Sequence, residues 1–171
     1  MALTLQQAAA ITAKLHVAAE TALTRDGTFI GTVALILPDA HVSAVLPFGP
    51  DGTPPSDAFI TDHAAKRGAA GLALTGEYWV DLAPISKTQA GLDPRDLPRP
   101  SEAAGTQRGE QIVTTVVVRG QHQVLRYCTP FQRSAFGVNL GERIEVNDDP
   151  VMPGGEAHRL IGLLERAADI P

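Results

Sequence analysis

From Leu72 to Leu82 the chain alternates. Leu72, Leu74, Gly76, Tyr78, Val80 and Leu82 fall on one side of an extended backbone, and Thr75, Glu77, Trp79 and Asp81 on the other. Successive side chains of a strand point to opposite faces, so a period of two commits this stretch to a sheet. Its neighbours must be compatible with that sheet. Residues 28–37 and 41–48 read as two strands joined across Pro38-Asp39-Ala40, a hairpin. The first is apolar on both sides (Phe29, Val33, Leu35 and Leu37; Ile30, Ala34 and Ile36), which predicts a central strand covered above and below. Gln111–Val118 is β-branched and turns at Arg119-Gly120 into Gln123–Thr129, a second hairpin, and a weakly patterned strand is expected at 134–146.

Three helices complete the pattern. Over residues 4–23, Thr4 and Gln7 form a capping box, and Ala8, Ile11, Leu15, Ala18 and Ala22 recur at helical spacing before Asp26-Gly27 ends the run. A second helix is expected at 55–67, capped by Ser56 or Thr53 and closed by Gly68, and a third from Pro153 to Asp169 with Leu160, Leu163, Leu164 and Ala167 inward. Two hairpins among three helices predict an α+β fold: a mostly antiparallel sheet of about five or six strands, with helices at the N-terminus, middle and C-terminus. Residues 83–110, with Pro84, Pro94, Pro98 and Pro100, read as a long irregular loop within one domain spanning 1–171.

Length and charge narrow the function classes. A chain of 171 residues buries about 70% of its unfolded surface and needs neither disulfide nor metal for a core. Cys128 is the only cysteine, which excludes an intramolecular disulfide and a Cys-rich zinc site. The formal charge is −5, with Arg95, Arg99 and Arg108 interleaved with Asp93, Asp96, Glu102 and Glu110, so nucleic acid is a disfavoured partner. The longest uncharged run, Met1–Ala13, is too short and polar for a membrane span, and no basic and apolar leader opens the chain; a cytoplasmic location is the expectation.

The candidate binding residues are Glu77, Trp79, Asp81, Arg99, Ser101, Glu102 and Glu110. The sole tryptophan lies between two carboxylates on one strand face, a surface suited to a metal ion, a cationic ligand or a partner protein. Large aromatics are mostly buried, so the simplest expectation is that Trp79 packs under a helix or loop with the acids at its rim. If the long loop folds back, Glu102 and Glu110 join Glu77 and Asp81, an oxygen-rich set matching Mg²⁺ or Mn²⁺, while Arg99 could neutralise one of them. The simpler reading is a solvated loop of mixed charge. The five histidines lack the i, i+4 pairing of helical zinc sites, and Asp62-His63 reads as an exposed pair. No G-x-S-x-G elbow, P-loop or G-x-G-x-x-G is present. Gly154-Gly155 reads as a helix entry, and Cys128 as a buried, inert thiol.

Glu77-Tyr78-Trp79, Pro100-Ser101-Glu102 and Gly109-Glu110-Gln111-Ile112-Val113 make the segment from Leu74 to Val118 resemble a group of uncharacterised bacterial proteins. In that group a Glu-x-Trp strand precedes a Pro-Ser-Glu loop and a Glu-led apolar strand. The likeness covers about a quarter of the chain and departs at Ala103-Ala104-Gly105. It implies that the two segments form one structural unit, and implies no activity. Three functions are therefore weighed. A non-enzymatic binding or assembly protein, as a homodimer, ranks ahead of a small metal-dependent hydrolase using Glu77, Asp81, Glu102 and Glu110, and of a small-molecule or nucleotide sensor. The cofactor and the reaction are not legible.

Overall fold

The computed structural model describes residues 2–81, 108–151 and 153–170, with side chains at all of these except 81, 108 and 147–150. The elements are α1 (Leu5–Asp26), β1 (Thr32–Ile36), β2 (Val42–Pro47), α2 (Asp57–Arg67), β3 (Gly71–Asp81), β4 (Arg108–Val118), β5 (Gln123–Ser134), β6 (Gly137–Leu140), β7 (Ile144–Pro150) and α3 (Glu156–Ala168). The strands form one sheet in the order β2-β1-β3-β4-β5-β6, with β7 also on β5, and every pairing is antiparallel. This is the expected α+β architecture. The stretch 134–146 departs from expectation by forming part of three strands rather than one. The chain breaks at Gly141, which lies against Pro130 so closely that a Cβ would sit 2.8 Å from its ring.

Alternation assigns the two faces. Val33, Leu35, Leu72, Leu74, Val117 and Val124 face α2 and α3, and form a core with Ile60, Leu160, Leu163 and Leu164. Ala34, Ile36, Ala73, Val116, Leu125 and Tyr127 face the other way, with Leu3 and Ala8. Full burial of each large aliphatic side chain is worth roughly 1.5–3 kcal/mol, so both layers stabilise the fold. β1 is covered on both sides, as its two apolar faces require.

The caps agree with the sequence. Thr4 and Gln7 form the capping box of α1, Gly27 closes it in the left-handed region, Ser56 caps α2, and Gly68 closes it with φ 63°. The inner face of α1 agrees only in part: Ala8 is buried and Ile11 and Leu15 pack against the core on that side. The expected stripe has Ala18 exposed and Ile11, Leu15 and Ala22 half-buried, while the buried residues are Ala8, Thr12, His16, Ala19, Glu20 and Leu23. The helix turns a partly polar face to the sheet because the sheet supplies hydroxyl partners for it.

Residues 82–107, most of the loop expected at 83–110, lie outside the described residues. Arg108, Gly109 and Glu110 belong to β4, and Arg108 stands opposite Asp81. Among the described residues no helix is long and apolar enough to cross a membrane.

Candidate functional site

β3 and β4 pair along eleven residues, from Gly71↔Val118 to Asp81↔Arg108. β1 accompanies β3 only as far as Thr32↔Thr75. Past Thr75 the two long strands continue without that neighbour, and here Glu77 and Trp79 sit on the α1 side of the sheet. Trp79 stands directly opposite Glu110, and Glu110 opposite Phe131 on β5.

Arg133 gathers this corner. Its guanidinium lies 4.8 Å from the centre of the Phe131 ring. Nη2 donates to Glu77 Oε2 at 2.7 Å, Nη1 donates to Glu110 Oε1, and Nε donates to the Gly27 carbonyl at 3.3 Å. Glu77 and Glu110 are diagonal neighbours on adjacent strands, within reach of one long side chain. One guanidinium thus ties two carboxylates to the C-terminus of α1, whose carbonyls favour a cation. The side chains of Arg133, Glu77 and Glu110 remain 36%, 28% and 21% exposed, so solvent reaches the cluster.

Trp79 is 46% exposed, against the expectation that it packs out of solvent. The structure brings Glu77, Trp79 and Glu110 together. Asp81 lies on the same strand, but its side chain is outside the described residues, as are Arg99, Ser101 and Glu102. The cation on the described carboxylates is Arg133, which the sequence reading did not nominate. Its position two residues beyond Phe131 on β5 was the available signal, but it needed the register of β4 on β5. Among the described residues no group of three or more His, Cys, Asp and Glu side chains could hold a metal ion.

Beside Glu77 the sheet leaves a cleft of about 400 Å³, lined by Thr28, Phe29, Ile30, Gly31, Phe48, Gly49, Pro50 and Gly52. It exists because β3 runs on where β1 has not yet begun.

A second polar cluster lies under α1. His16 is fully buried; its Nδ1 is 2.8 Å from Thr114 Oγ1 and its Nε2 is 2.9 Å from Thr129 Oγ1. Thr129 donates its only hydroxyl proton to Glu20 Oε1 at 2.6 Å, so it accepts from His16, and the imidazole proton is on Nε2. Nδ1 then accepts from Thr114, which accepts from Thr75 at 2.9 Å. The bonds run in one direction, Thr75 to Thr114 to His16 to Thr129 to Glu20, and Arg143 closes the chain on Glu20. Burial lowers the His16 pKa to about 4, with the Glu20 charge opposing that shift and the Arg143 charge adding to it. Burial works to raise the Glu20 pKa, but hydrogen bonds from Arg143 and Thr129 hold it below the usual carboxylate value.

On the opposite face, Tyr78 donates to Glu156 at 2.9 Å and Thr115 donates to the same carboxylate at 3.3 Å, anchoring the first turn of α3. Burial and the adjacent Glu156 charge raise the Tyr78 pKa, so the phenol stays protonated. Gly155 is the N-cap of that helix. Asp62 pairs with Lys66 at 2.8 Å and lies 3.7 Å from His63 at the surface, while Cys128 is half-buried rather than fully enclosed. No protein-family model, curated protein or solved structure matches the chain.

Proposed function

We propose that the protein is a non-enzymatic assembly module of the cytoplasm, pairing with a second copy of itself through the face that carries Trp79. The observation behind this reading is a half-exposed tryptophan directly across from Glu110, one of two carboxylates that share Arg133. A two-fold interface must complement itself, because each patch meets its own copy. A patch holding an aromatic ring and charges of both signs meets that condition. Exchange of Arg133 between the carboxylates of two copies would add contacts while keeping each guanidinium paired. Tryptophan and arginine are also the residues on which interface energy concentrates.

Light scattering after size-exclusion, over a wide concentration range, tests the proposal. The expected result is a reversible monomer–dimer equilibrium that Trp79→Ala weakens by at least about tenfold, equivalent to about 1.4 kcal/mol. Acrylamide quenching of Trp79, the only tryptophan, should fall as dimer accumulates. A strict monomer at every concentration would overturn the reading.

A metal-dependent hydrolase remains the second reading, drawing on the same two carboxylates. Mg²⁺ or Mn²⁺ would have to take Glu77 and Glu110 from Arg133, which already satisfies them. A rise in melting temperature specific to one of Mg²⁺, Mn²⁺, Ca²⁺ or Zn²⁺ would favour that reading over assembly.

A further inference from the structure

We propose that the cleft beside Glu77 binds a small organic amine, an ammonium group carried on an apolar body. Its volume of about 400 Å³ falls in the range of small-molecule sites. The walls are mixed, about equally polar and apolar: Phe29, Ile30, Phe48 and Pro50 stand beside Thr28, Glu77 and the glycines Gly31, Gly49 and Gly52.

The cleft is built in advance. The Phe48 ring rests on Gly31, where a Cβ would lie 2.5 Å from it, so the glycine is required for that wall. The Phe48 amide donates to the Gly31 carbonyl at 2.7 Å and fixes the same approach through the backbone. The rim is closed on itself: the Gly49 amide donates to the Thr53 carbonyl at 2.8 Å, the Gly52 amide to the Gly49 carbonyl at 2.9 Å, and the Thr53 amide to Asp51 Oδ1 at 3.1 Å. A ligand therefore does not have to order the loop that receives it.

Charge selects the class of ligand. Among the described residues Glu77 is the only ionised one lining the cleft, and it shares Arg133 with Glu110. Two carboxylates and one guanidinium leave one negative charge over. An incoming ammonium offsets it, and two aromatic residues, Phe29 and Phe48, line the same cleft. A phosphate or carboxylate ligand would meet Glu77 with the guanidinium already engaged by Glu77, Glu110 and the Gly27 carbonyl. Nucleotides and organic acids are thereby disfavoured.

Phenethylamine, phenethyl alcohol and phenylacetate, which share a phenyl ring and a two-carbon reach but differ in charge, are the probes. Each is titrated into the full-length ¹⁵N-labelled chain and followed at the amides of Ile30, Gly31, Gly49 and Gly52. The expected result is saturable binding of the amine in the millimolar range or better, tighter than the alcohol by about fivefold, with no binding of phenylacetate. Glu77→Gln should remove the preference for the amine and leave the alcohol unchanged. Because that variant also releases Arg133, a second one is needed. Ile30→Lys, at a side chain 66% exposed, should keep the fold and weaken the amine more than the alcohol, because it adds a positive charge to a wall that both ligands touch. Equal binding of amine and alcohol to the wild-type chain, or no saturable shift with the amine up to about 10 mM, would overturn the proposal. Repeating the titration on Trp79→Ala separates this site from self-association, since the amine should bind the monomer equally well.

Discussion

His16 sits at the centre of the α1–sheet contact as a neutral ring with both nitrogens satisfied, and this sets a pH dependence. Its pKa falls from 6.5 to about 4 on folding, so between these values the unfolded chain holds a proton that the native state does not. The stabilisation is complete above pH 6.5 and is lost as pH falls toward 4, by about 3 kcal/mol at the lower end. The depressed Glu20 carboxyl adds a loss in the same direction, at more acid pH. Thermal unfolding from pH 7 to pH 4 should show a fall in melting temperature that is flatter in His16→Gln. That variant begins less stable at neutral pH because Thr114 and Thr129 lose their shared partner. A parallel pH dependence in both proteins would rule His16 out as the titrating group. None of this was legible in the sequence, where His16 is one of five scattered histidines. The threonines that bind it are 98 and 113 residues away, and only sheet register brings them under one helix turn. Glu77 and Trp79, by contrast, were placed correctly because a period of two is a local property.

Helix α1 shows why element boundaries were easier to read than element orientation. Its cap is a short-range bond between Thr4 and Gln7 and its end is a glycine, both written locally. Apolar spacing locates only the margin of its inward face, Ala8, Ile11 and Leu15, because the middle of that face is the polar set Thr12, His16 and Glu20. The pairing of Glu20 with Arg143, in the link between β6 and β7, fastens that face to the far end of the chain. Glu20 is 8% exposed, so removing its cation strands a nearly buried carboxylate. Arg143→Met should therefore cost about 2–3 kcal/mol. The counterpart Arg133→Met, at the more open Glu77–Glu110 corner, should cost no more than about 1 kcal/mol. Urea denaturation at unchanged m-value gives both numbers. Equal costs would mean that burial is not what distinguishes the two arginines.

Across the whole molecule, one antiparallel sheet carries α1 on one face and the α2–α3 pair on the other. Hairpin turns and strand alternation predict the antiparallel sheet and its three helices, but not which helix covers which face. The division of the strand expected at 134–146 among β5, β6 and β7 is not legible, since β6 is only four residues long and largely exposed, and so has little apolar pattern to read. The full-length pairing of β3 with β4 has a further consequence. Asp81 and Arg108 are cross-strand partners, and such partners have Cα atoms roughly 5 Å apart. Whatever connects them leaves and re-enters the sheet at a single doorway. An Asn-Gly turn in place of residues 82–107 would suit that spacing. It would lower the entropy of closing the hairpin by about 2 kcal/mol. The shortened chain should keep its circular dichroism spectrum and unfold cooperatively; failure to fold would show that the hairpin depends on the excised residues. If it folds, the doorway is a natural graft point, where foreign peptides of varied length can be spliced in while every strand keeps its neighbours.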